Sequence, residues 1–164
     1  TVEVEDGARS AIFLPSVKPA IDVTIDFDDP TIGRQHFAFE VNRDAFSDLV
    51  APARTFGFRR DLNMLLKNGL ARGGSLDNAI VIDEGKVANP EGLRFADEFV
   101  RHKALDALGD LYLAGAPILG LYRATRPGHG LNAKAVEALL ADETAWRWAN
   151  MADAEQAEGL KVHS

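Results

Sequence analysis

Residues 95–110 leave the backbone little choice. Val100, Ala104, Ala107, Leu108 and Leu111 recur at helical spacing, and Asp97 and Glu98 bring negative charge to where the positive end of a helix would lie. One long amphipathic helix is therefore expected over 95–110. The stripe beside its apolar face is less ordinary. His102, Asp106 and Asp110 stand four residues apart, so they project from one face on successive turns. An imidazole and a carboxylate so placed can reach one small cation. Zinc accepts N and O ligands, and a catalytic zinc takes three from the protein with a fourth position left open. His102 and Asp106 supply two; the plainer reading of the same spacing is a solvated face or a local His-Asp hydrogen bond.

Around that helix the chain reads as strands and short helices. Ile21, Val23, Ile25 and Phe27 alternate with Asp22, Thr24 and Asp26, the period of a half-buried strand. A second alternating run over 35–41 puts Phe37, Phe39 and Val41 on one side and suggests an antiparallel neighbour. His36 falls on the other side, as a surface residue or a third metal ligand. Asn42 is placed to cap a short helix over 43–50. Strand, helix and strand then follow between 53 and 87, a βαβ unit whose strands would pair in parallel. A strand over 118–126 leads to His129, between two glycines that leave the imidazole open to close approach. That histidine is either a turn residue in water or a general acid. A last helix is expected from Leu131 and Asn132 towards Trp146 and Trp148, with a flexible tail over 152–164.

Composition narrows the classes. The chain has 164 residues, 46% of them hydrophobic and 26% charged, enough for one compact core. A net charge of -7 without any Lys/Arg-rich stripe argues against a nucleic-acid partner. The absence of cysteine rules out disulfides and thiolate ligands and suits a reducing cytoplasm, so a metal would sit on His, Asp or Glu. No apolar run is long enough to span a bilayer, which leaves at most a peripheral membrane-surface contact.

Three stretches, ARTFGF at 53–58, VRHKALDALGDL at 100–111 and GHGLN at 128–132, together resemble the UDP-3-O-acyl-N-acetylglucosamine deacetylases, zinc amidases of lipid A biosynthesis in Gram-negative bacteria. The similarity runs from about Thr24 to Trp148 and covers only the second half of that enzyme. It implies an α+β fold, a two-layer sandwich of a mixed β-sheet packed on helices with the βαβ unit inserted at about 53–87. It implies that residues 1–151 form the C-terminal domain of a two-domain enzyme, with Thr1 near the boundary. The activity implied is removal of acetate from UDP-3-O-acyl-N-acetylglucosamine, the committed step of the pathway. In that reading His102 and Asp106 hold Zn2+, and Thr55 and Lys103 hold oxyanion or substrate. His129 is the cationic acid, its ring oriented by Asp110. Phe56 lines the substrate site, while Leu62, Leu65, Ala71, Ser75, Ala79 and Val81 fall where the family's insert forms a passage for the acyl chain; from residues alone, such positions are also what any core supplies.

The third zinc ligand and the glutamate base stand in the family as an adjacent Glu-His pair in the N-terminal domain, and no Glu-His pair occurs here. The chain alone is therefore expected to be inactive. The alternative is a non-catalytic module that binds a nucleotide-sugar lipid or a protein partner. Arg126 and Pro127 depart from the family's Lys-Ser, and Pro127 removes a backbone donor just ahead of His129.

Overall fold

The computed structural model describes residues 1–61 and 78–150. Alternation in the sequence becomes a five-stranded mixed sheet. Its strands are β1 (Val2–Asp6), β2 (Arg9–Leu14), β3 (Ala20–Asp26), β4 (Arg34–Glu40) and β8 (Leu121–Thr125), in the order β1-β2-β8-β3-β4. β3 and β4 pair antiparallel from Ala20 opposite Glu40 to Asp26 opposite Arg34, as the two alternating runs predict. β8 enters from late in the chain to lie parallel to β3 and antiparallel to β2. On β3, Ile21, Val23 and Ile25 are buried, and their odd-numbered register carries all three side chains to one face.

Two helices cover that face. Helix α2 (Glu98–Leu111) packs over β3 and β4, and helix α3 (His129–Ala141) over β1 and β2, with the two helices touching each other. Phe99, Val100, Ala104, Ala107 and Leu111 of α2 and Leu131, Ala135, Val136 and Leu139 of α3 close the core. A two-layer α+β sandwich results. The short helix after β4 is α1 (Arg43–Ala45), capped by Asn42 Oδ1 on Ala45 N at 2.9 Å and continued by a π-type turn, Phe46–Val50.

A smaller sheet stands apart, with β5 (Thr55–Phe58) parallel to β6 (Ala79–Asp83) and β6 antiparallel to β7 (Lys86–Val87). Glu84 and Gly85, at φ 47° and 72°, make the tight turn between β6 and β7. These are the strands expected of the inserted unit. Most of the helix expected between them, and the tail over 152–164, lie outside the described residues. Among the described residues no helix is long and apolar enough to cross a membrane.

Several boundaries differ from expectation. Helix α2 starts at Glu98 rather than near 95, and the Asp97 carboxylate turns to Arg101 Nε at 2.6 Å instead of capping the helix. Helix α3 begins at His129, two residues before Leu131, so this histidine heads a helix rather than sitting in the preceding turn. It stops at Ala141 and does not run on to the tryptophans: Asp142 Oδ1 accepts from Thr144 N at 3.1 Å and Thr144 Oγ1 at 2.6 Å, a local turn that competes with helix.

Candidate metal and catalytic site

The site is built where β5 meets the exposed side of α2. The β5 end is fixed first. Arg54, just before β5, is buried and forms an ion pair with Glu98 in the first turn of α2, Nε to Oε1 at 3.0 Å. Its guanidinium also bonds the Gly92 carbonyl at 2.7 Å and the Glu91 carboxylate, and its backbone N–H donates to Glu98 Oε1 at 3.0 Å. Burial pushes the Glu98 carboxyl up, but the hydrogen bonds of Arg54 and of the Arg94 backbone outweigh it and hold the group below its ordinary value. This carboxylate, read from sequence as a charge at a helix end, is an internal rivet between α2 and β5.

One residue back, Ala53 O lies 3.2 Å from His102 Nδ1. A carbonyl can only accept, so Nδ1 carries the proton and Nε2 keeps its lone pair. Nε2 lies 3.3 Å from Asp106 Oδ1, and both side chains are 14% exposed. Burial pulls the His102 imidazole below its ordinary pKa; Lys103 and His129 add to the pull, while Asp106 and the Ala53 carbonyl oppose it. A neutral imidazole is the ligating form. Donors bound to one tetrahedral zinc at about 2.0–2.2 Å stand roughly 3.3–3.5 Å apart, so the pair fits the ion in chemistry and in spacing. Among the described residues no group of three or more His, Cys, Asp or Glu side chains could hold a metal.

Lys103 Nζ donates to Asp106 Oδ2 at 2.7 Å and stands 5.7 Å from the centroid of the Phe56 ring. Phe56 packs edge-on against Phe99 at 5.0 Å and Phe27 at 5.7 Å, with the His102 ring at 6.3 Å, so it forms a wall of the site. Thr55 is exposed at the start of β5. Asp110 meets His129, Oδ2 to Nδ1 at 2.8 Å. Two residues of this cluster went unread in the sequence as site candidates. Asn132 Nδ2 donates to the same Asp110 oxygen at 2.8 Å, and Tyr122 Oη donates to Asn132 Oδ1 at 2.7 Å. A sequence signal existed for one of them, since Asn132 precedes Val136 by four and so occupies the apolar stripe of α3.

The remaining candidates separate. Ala79 and Val81 are half-buried on β6, alternating with buried Ile80 and Ile82. Leu62, Leu65, Ala71 and Ser75 lie outside the described residues. His36 bonds Asp22 Oδ1 at 2.8 Å on the open face of the sheet, opposite to the helices.

Paired N and O donors beside a carboxylate-oriented imidazole are a constellation of the hydrolase class. The comparisons agree with it. The family model described as UDP-3-O-acyl N-acetylglycosamine deacetylase matches residues 1–141, and the chain belongs to that family. The UDP-3-O-acyl-N-acetylglucosamine deacetylase of Haemophilus influenzae (strain 86-028NP) is 50% identical over 157 residues, 94% of this chain and 52% of the relative. That of Campylobacter hominis is 54% identical over 141 residues, 86% and 48% of the respective chains. The Stenotrophomonas maltophilia (strain R551-3) enzyme is 51% identical over 152 residues, 90% and 50%. The chain thus spans about half the length of the curated relatives it matches.

Proposed function

We propose that this chain is the C-terminal part of a cytoplasmic zinc-dependent deacetylase that releases acetate from UDP-3-O-acyl-N-acetylglucosamine, the committed step of lipid A biosynthesis. One observation carries the reading: His102 Nε2 and Asp106 Oδ1 stand 3.3 Å apart, with Ala53 O turning the imidazole so that its lone pair faces the carboxylate. These two side chains would hold the zinc. Zinc supplies Lewis acidity towards the amide carbonyl and activation of water.

The chain's own residues divide the other tasks. The Thr55 hydroxyl donates to the oxyanion that develops as the carbonyl is attacked. Lys103, steadied by Asp106 and the Phe56 ring, adds positive charge beside the same oxygen. His129, its Nδ1 held by Asp110, uses Nε2 to protonate the leaving amine. Phe56, Ala79 and Val81 line the apolar passage for the acyl chain. Residues 1–151 act as the second domain of the enzyme. The third ligand and the carboxylate base come from the preceding domain, as the family pattern requires.

The test is reconstitution. This chain mixed with a separately expressed N-terminal half, zinc and UDP-3-O-acyl-N-acetylglucosamine should release acetate, whereas the chain alone should not. A folded, associated pair that releases none would overturn the proposal.

A further inference from the structure

Asn132 has no exposed surface, yet it joins three elements through its amide. Tyr122 of β8, itself 1% exposed, donates to Oδ1 at 2.7 Å, and Nδ2 donates to Asp110 Oδ2 of α2 at 2.8 Å. The same Asp110 carboxylate meets His129 Nδ1, 2.8 Å from Oδ2 and 3.1 Å from Oδ1. Each step has a fixed chemical sense. An ionised carboxylate only accepts, so the amide nitrogen must face Asp110 and the amide oxygen must face Tyr122, whose hydroxyl must donate. Burial, and then the Asp110 charge, hold the Tyr122 phenol above its ordinary pKa, so it stays a donor. His129 and Asn132 are the hydrogen-bond partners of Asp110 among the described residues.

We propose that Asn132, itself held by Tyr122, is a positioning residue: it fixes the Asp110 carboxylate so that neutral His129 carries its proton on Nδ1 and leaves Nε2 free to gain and give one. What Nε2 then does rests on the deacetylase reading; the tautomer does not. The His129 side chain is 72% exposed, so without such a clamp its ring would take the Nε2–H form that a histidine in water favours.

The experiment is long-range 1H–15N correlation NMR on the full chain without zinc or substrate, at a pH where the ring is neutral, with the His129 signals assigned by their loss in His129→Gln. The wild type should show the Nδ1–H tautomer. Asn132→Ala should lower the ratio of Nδ1–H to Nε2–H several-fold while the backbone spectrum keeps its dispersion, and Tyr122→Phe should move it the same way by less. A wild type in the Nε2–H form, or a folded Asn132→Ala with an unchanged ratio, overturns the proposal. Should Asn132→Ala not fold, Tyr122→Phe decides, because it deletes a single oxygen and an unchanged ratio there also overturns it. An unclamped tautomer would leave acetate release by the reconstituted enzyme untouched as a question, and inactivity of that enzyme would leave the tautomer result standing.

Discussion

The two ends of helix α2 use carboxylates in opposite ways. Glu98, in the first turn, is fully buried and accepts from Arg54 N, Nε and Nη2 and from Arg94 N. Asp106 and Asp110, two and three turns on, keep solvent access and face His102, Lys103 and His129, with only Asp110 also held from inside, by Asn132. A carboxylate saturated by fixed donors has no capacity left for chemistry, and its value is rigidity. One that is half-satisfied at the surface is where a ligand or proton can enter. The saturated end also serves the open one, because Arg54 lies between Ala53, whose carbonyl orients His102, and Thr55.

The largest expected effect breaks the rivet. Glu98→Ala should leave the Arg54 guanidinium buried without its main partner and cost about 3–5 kcal/mol in urea unfolding. A loss under about 1 kcal/mol would remove the distinction between the two ends. The same carboxyl should set the acid limit of the fold. Its folded pKa is depressed, so its contribution is full above the unfolded carboxylate value of about 4.3 and is lost as pH falls through the lower folded value. Urea midpoints of the wild type and Glu98→Gln should therefore draw together as the pH falls below about 4.3 and meet only below the folded value.

At the open end the expectation reverses. His102→Ala should lower zinc affinity more than about tenfold while costing only about 1 kcal/mol of stability. Isothermal titration of both chains at one pH and salt checks this, and equal uptake would move the metal site away from α2. The smallest effect belongs to the sheet's far face. Arg123 pairs with Asp22 at 2.7 Å but is 54% exposed, so Arg123→Ala should change the urea unfolding free energy by under about 1 kcal/mol.

Much of the layer structure was legible because period two and period 3.6 are local signals. Ile21, Val23 and Ile25 announce a face, and Val100, Ala104 and Ala107 announce a stripe. His102 and Asp106 were equally legible, since four residues apart on a helix is itself a contact. Arg54 and Glu98 were not, because they meet across 44 residues and neither sits in an apolar pattern that would predict burial. Asn132 could have been read from its place on the buried stripe of α3, but its partners Asp110 and Tyr122 come from two other elements. The early end of α3 depends on a side-chain turn at Asp142 that the apolar spacing of Leu139 and Leu140 does not register.

The position of β8 in the middle of the large sheet also governs how the chain can be made. The hairpins β1-β2 and β3-β4 leave the ribosome well before β8, and each must wait for β8 to join it to the other. Roughly one hundred residues separate β3 from β8, about 5–20 s of synthesis at ordinary rates. Throughout that interval the inner edges of β2 and β3 are unpaired, and until α2 is made their apolar faces have no helix over them, the condition under which nascent chains stick to one another. The soluble yield of this chain should therefore rise when a chaperone that shields apolar surface is co-expressed.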